Sequence, residues 1–112
     1  MPAERECIEL SLRPYHGRLF VAFSPAEYER QHVKLFKTPD VLNCGQCGRF
    51  SGGEGKDGMW TYLIWGKKPP QVAHELSHVV LHVFERCGID PCSGRGEPFC
   101  YMLSQLILEA HK

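Results

Sequence analysis

Three histidines fall four residues apart, at 74, 78 and 82 in VAHELSHVVLH, and a glutamate follows the first directly. Residues four apart on a helix lie one turn apart on the same side. The imidazoles of His74 and His78 can therefore converge on one point beside the helix, each about 2.0–2.1 Å from a zinc ion. Glu75 can reach the edge of that site without being forced into coordination. There it is placed to take a proton from a metal-activated water. This is the His-Glu-x-x-His arrangement, spelled HELSH. His82 reads as a supporting or packing residue.

A catalytic zinc takes three protein ligands and keeps a fourth position for water. The best candidate for the third ligand is Glu97. Eighteen residues separate it from His78, which puts it where the last helix should begin. A short loop and an antiparallel return would carry its carboxylate back toward the histidines. Tyr101, one turn further on, is the candidate donor to a developing oxyanion, an interaction worth roughly 3–4 kcal/mol. It reads equally well as a helix-packing tyrosine.

Six cysteines stand at 7, 44, 47, 87, 92 and 100. Cys44 and Cys47 have the spacing of half a zinc ribbon or of a redox pair. A ribbon needs two more thiolates, and Cys87 with Cys92 is the nearby choice. These four are a candidate second, structural zinc site. The plainer reading is reduced thiols in a tight glycine turn. Cys7 and Cys100 read as small buried apolar residues.

These residues need elements to hold them. CIELSLRP alternates Ile8, Leu10 and Leu12 inward, the period of a strand, and residues 18 to 23 form a second strand. Tyr15-His16-Gly17 turns between them, so the pair should be a hairpin. Ser24-Pro25-Ala26-Glu27 has a cap, a first-turn proline and a glutamate placed to reach back. The helix it opens should run to about Lys37. VLNCGQCGRF follows, and after it the glycine-rich SGGEGKDG, residues 51 to 58, reads as a mobile loop. A phosphate loop is excluded there, because Phe50 stands where glycine is needed and Asp57 where serine or threonine is. MWTYLIW, residues 59 to 65, is the best strand in the chain.

The histidine helix should span about 70 to 87. On a wheel of about 100° per residue, Val72, Leu76, Val79, Val80, Val83 and Cys87 gather on one side. His74, His78 and His82 fall on another. The last helix, about 97 to 110, carries Phe99, Met102, Leu103, Leu106 and Ala110 on one face. Glu97, Tyr101 and Ser104 share a different one.

The 112 residues suit one domain, and residues 1–112 are read as one. An apolar content of 43% is that of a globular chain. Thirteen basic residues balance thirteen acidic ones, so nucleic acid is not the expected partner. The charges in MPAERECIEL do not suit an export signal, and no apolar run approaches a membrane span. The expectation is a cytoplasmic protein with reduced thiols.

HELSH followed after eighteen residues by Glu97 resembles the glutamate-type zincins, the gluzincins, which are zinc-dependent peptidases. AHELSHVVLH also resembles the metallopeptidase helix of the ImmA/IrrE group. GEPFCYMLSQLI resembles the Glu-x-x-x-Tyr helix of small phage-encoded proteins of metallopeptidase type. The likeness covers about residues 59 to 108. It implies an α+β, minimal zincin-like domain: a small twisted sheet against the His-Glu-x-x-His helix and a C-terminal helix. It implies His74, His78 and Glu97 as zinc ligands and Glu75 as general base. It also implies that the strand holding Trp60, Thr61, Tyr62 and Leu63 borders the cleft and pairs with an extended peptide or protein substrate. Two other readings stand beside the peptidase. One is a zinc-binding scaffold, possessed of the same site, that acts by occupying a host or partner protein. The other is a structural zinc protein built on the four cysteines.

Overall fold

A computed structural model describes residues 7–112. The segment 1–6, on which much of the export-signal reading rests, lies outside the described residues. Eight elements follow in order. They are β1 (Ile8–Leu10), β2 (Arg18–Ala22), α1 (Pro25–Phe36), β3 (Gly48–Glu54), β4 (Trp60–Gly66), α2 (Pro69–Arg86), a 3-10 turn (Ser93–Gly96) and α3 (Glu97–Ala110). The chain is thus α+β, with a four-stranded mixed sheet and three helices.

The sheet order is β1-β2-β4-β3. β1 and β2 form the expected antiparallel hairpin, with Ile8 opposite Val21 and Leu10 opposite Leu19. β2 and β4 run parallel, and β3 runs antiparallel to β4. Side chains alternate across a strand. Leu10, Leu19, Val21, Tyr62 and Ile64 accordingly share one face, and Ala22, Leu63 and Trp65 the other. Residues 61 to 65 are all buried, because β4 is covered on both faces.

α1 covers the Leu63 and Trp65 face. Ser24 caps it, its Oγ accepting from the Glu27 amide at 3.1 Å, and Pro25 takes the first helical position. Glu27 does not reach back as expected; its carboxylate accepts from Gln31 at 2.9 Å and from Arg30. α2 covers the opposite face through Val72, Leu76, Val79, Val80 and Val83, the predicted stripe less its last member, since Cys87 is exposed. α2 starts close behind β4. A Cβ on Gly66 would lie 2.4 Å from the Val72 amide nitrogen, so this corner needs glycine. α3 packs back on α2, with Phe99 edge-on to Phe84 at 5.9 Å and Leu106 and Ala110 buried.

β3 corrects the reading of residues 51 to 54 as loop. Its glycine-rich sequence GRFSGGE has little strand propensity. Pairing with all of β4, from Gly48 opposite Gly66 to Glu54 opposite Trp60, supplies what propensity does not. Small residues also let neighbours approach: a Cβ on Gly48 would lie 2.8 Å from Glu75 Oε2 of α2.

Candidate metal centre

The aliphatic stripe of α2 fixes where its polar residues point. With Leu76, Val79, Val80 and Val83 against the sheet, His74 and His78 stand exposed on the helix flank beside β3. Their Nε2 atoms lie 3.2 Å apart, and the rings meet edge to face at 4.9 Å. Two imidazole nitrogens at tetrahedral positions around zinc would be about 3.3 Å apart, given bonds of about 2.05 Å. The spacing of the pair is compatible with two ligands on one metal ion. Phe50 of β3 lies against His78, ring centroids 5.7 Å apart.

Glu75 occupies the seam between α2 and β3 and is only 9% exposed. Its Oε2 is 4.0 Å from His74 Nε2. One donor atom from each of His74, Glu75 and His78 lies within 4.8 Å of the other two, so the three form a group that could hold a metal ion. Burial pushes the Glu75 carboxyl above the ordinary glutamate range; His74, His78 and Arg49 pull the other way without cancelling it. The chain thus keeps a basic carboxylate beside two imidazoles.

His82 serves packing, as expected. Its Nδ1 is 2.8 Å from the Tyr62 hydroxyl, and its ring lies on Trp60, 17° from parallel, at 5.5 Å. Arg86 donates to the same hydroxyl at 3.1 Å, which leaves the hydroxyl hydrogen for His82. The Arg86 guanidinium also sits 5.0 Å from the Trp60 ring centroid. This cluster braces the second half of α2 against β4.

Other expected site residues lie elsewhere. Glu97 is the exposed first residue of α3 and does not enter the group formed by His74, Glu75 and His78. Its place in the first turn of α3 puts a negative charge at the positive end of the helix dipole. Tyr101 is 73% exposed on α3. Cys44, Cys47, Cys87 and Cys92 are all exposed, and among the described residues no three of them gather as a ligand group. Cys100 is exposed rather than buried. Cys7 is half-buried, and desolvation raises its thiol to about 12.

The strand expected to receive a peptide also needs correction. β4 is paired with β2 on one edge and β3 on the other, so Trp60, Thr61, Tyr62 and Leu63 have no backbone edge to offer. Thr61, Tyr62 and Leu63 are buried, and Leu63 faces α1. The sheet edge beside the histidines is β3. Sequence reasoning missed Gly48, Arg49 and Phe50 there. The signal was one apolar residue, Phe50, between polar Arg49 and Ser51, which is too short a stretch of alternation to read as a strand.

Among the described residues, no helix is long and apolar enough to cross a membrane. No protein-family model, no curated protein and no solved structure matches this chain.

Proposed function

We propose that the chain is a zinc-dependent hydrolase of peptide bonds, with His74 and His78 as ligands and Glu75 as general base. The observation that carries this reading is the pair of imidazole nitrogens 3.2 Å apart with a buried carboxylate beside them. A bound zinc would lower the pKa of a water from 15.7 to about 7 and polarise the scissile carbonyl. Glu75 takes the proton of the attacking water at its carboxylate and returns it to the leaving amine. Its raised proton affinity suits the first transfer near neutral pH. Its carboxylate, 4.0 Å from His74 Nε2, would stand beside the ion held by the two imidazoles. The outer edge of β3 aligns the substrate by adding it as a fifth, extended strand. Tyr101 is given no part in this reading.

The third ligand in this reading is Glu97, the residue that the sequence resemblance implies. The residues before it, Gly94, Arg95 and Gly96, have φ of 60°, 59° and 79° and form the corner from which α3 departs. The proposal includes a cytoplasmic location, supported by free cysteines that suit a reducing compartment, and a phage or host setting, supported by the sequence resemblance.

A second reading is favoured by one observation: Glu97 stands outside the metal group. In it the chain binds a metal through His74, His78 and Glu75 and acts by occupying a protein partner, with no turnover.

Zinc content and peptide cleavage of the purified chain test both. One zinc per chain is expected, lost in His74→Ala and in His78→Ala. Glu75→Gln should keep the metal and lose cleavage by at least a hundredfold, and Glu97→Gln should weaken metal binding. Zinc retained in both histidine variants would overturn either reading. Zinc lost in Glu75→Gln but kept in Glu97→Gln would select the second.

A further inference from the structure

A cleft of about 370 Å³ opens on the α1 side of the sheet, away from the histidines. Its charged and apolar lining comes from three places. Arg18 and Phe20 come from β2, Lys34 and Leu35 from the last turns of α1, and Lys56 and Asp57 from the turn joining β3 to β4. The turn is pinned to the helix, because the Lys56 amide donates to the Leu35 carbonyl at 2.9 Å. That bond also covers a helix-end carbonyl that would otherwise repel an anion.

The cleft's charge is one-sided. Three cationic side chains meet one carboxylate, in a chain whose formal charge is zero. Asp57 is already committed to Arg18, Nη1 to Oδ2 at 2.9 Å. Lys34 and Lys56 are exposed on the rim. The other polar groups of the wall are spent locally: Gln31 Nε2 donates to Glu27, and Thr61 Oγ1 donates to the Met59 carbonyl. Beneath the cations, half-buried Phe20 and Leu35 supply an apolar floor. Lysine and arginine stems extend such a floor while their charges stay in water.

We propose that this cleft binds a small organic anion. Its ring or short hydrocarbon body rests on Phe20 and Leu35, and its carboxylate, sulfonate or phosphate head lies between Lys34 and Lys56. The volume falls within the range of about 300–1,000 Å³ common for small-molecule sites. The site stands apart from the histidine pair and owes nothing to the metal reading.

Fluorescence titration of the full chain with anilinonaphthalene sulfonate, an aromatic monoanion, tests this. One saturable site is expected, with the same affinity in the presence of a chelator. Lys34→Glu with Lys56→Glu should weaken it at least tenfold, while Lys67→Glu with Lys68→Glu, elsewhere on the surface, should leave it unchanged. Both rim lysines are exposed, so the parent far-UV spectrum should persist; if it does not, Lys34→Ala with Lys56→Ala repeats the test. Unchanged affinity in the rim variants overturns the proposal. So does an equal loss in the control pair, or emission that rises without saturating. Inorganic phosphate displacing the probe at equal concentration would remove the apolar half of the site and overturn the proposal as stated.

Discussion

Glu75 is a carboxyl whose burial bears on stability. A carboxyl whose folded pKa is raised adds stability below its unfolded value, and that stability disappears as pH rises through the folded value. At neutral pH the buried Glu75 carboxyl is therefore a cost to the metal-free fold. Glu75→Gln should raise the thermal midpoint of the metal-free chain at pH 7. The gain should vanish below about pH 4, where the parent residue is protonated in both states. A lower midpoint at pH 7 would mean that the carboxylate stabilises the seam. Gly48 is the matching constraint from β3. Gly48→Ala would place a Cβ 2.8 Å from Glu75 Oε2 and must push that side chain or part the strand from the helix. Zinc affinity should fall about tenfold or more by calorimetric titration, with little change in far-UV signal.

At the scale of elements, α2 is held by its stripe and β3 by its partners. Leu76 is fully buried between α2 and the sheet. Leu76→Ala should cost about 2–5 kcal/mol in urea unfolding, a large part of the roughly 5–15 kcal/mol of a typical domain. β3 is tied to the far side of the sheet by Asp40. That carboxylate accepts from the Tyr28 hydroxyl at 2.7 Å and from Arg49 Nε and Nη2 at 2.9 and 3.2 Å. Burial alone would raise the Asp40 carboxyl, but Tyr28 and Arg49 outweigh it and hold the carboxyl below the ordinary range. Its contribution is present above about pH 3.9, the unfolded value, and is lost as pH falls through the lower folded value. Asp40→Asn should destabilise the chain at pH 7 and flatten the acid limb of its pH–stability curve. These two elements also mark what the sequence made legible. α2 and α3 announced themselves because a 3.6-residue stripe runs through several turns of each. The His74, Glu75 and His78 group followed from that stripe. β3 did not, because its pairing with β4 and its contact with Glu75 are made across sequence gaps that no local pattern records. Glu97 was legible as the start of a helix, but a helix start does not fix where its side chain reaches in space.

For the whole molecule, the sheet divides the chain into two sides with different surface chemistry. α2 and α3 lie over one face, with the histidines on the flank of α2. α1 and the cation-rimmed cleft lie over the other. A ligand that binds only the folded chain raises its apparent stability by about 2.7 kcal/mol at a hundredfold excess over Kd. Zinc should therefore raise the unfolding midpoint of the parent chain and leave that of His74→Ala unmoved, read by scanning calorimetry. β3, the outermost strand beside the histidines, has one further consequence. A row of unpaired backbone donors and acceptors beckons any extended chain, including another copy of this one. The guard on that edge is thin: seven residues, three of them glycine, with Arg49 and Glu54 the only formal charges. Neutralising Arg49 would strip half of it and leave Asp40 without its guanidinium partner, so fibrous precipitation in concentrated solution should accompany a loss of stability.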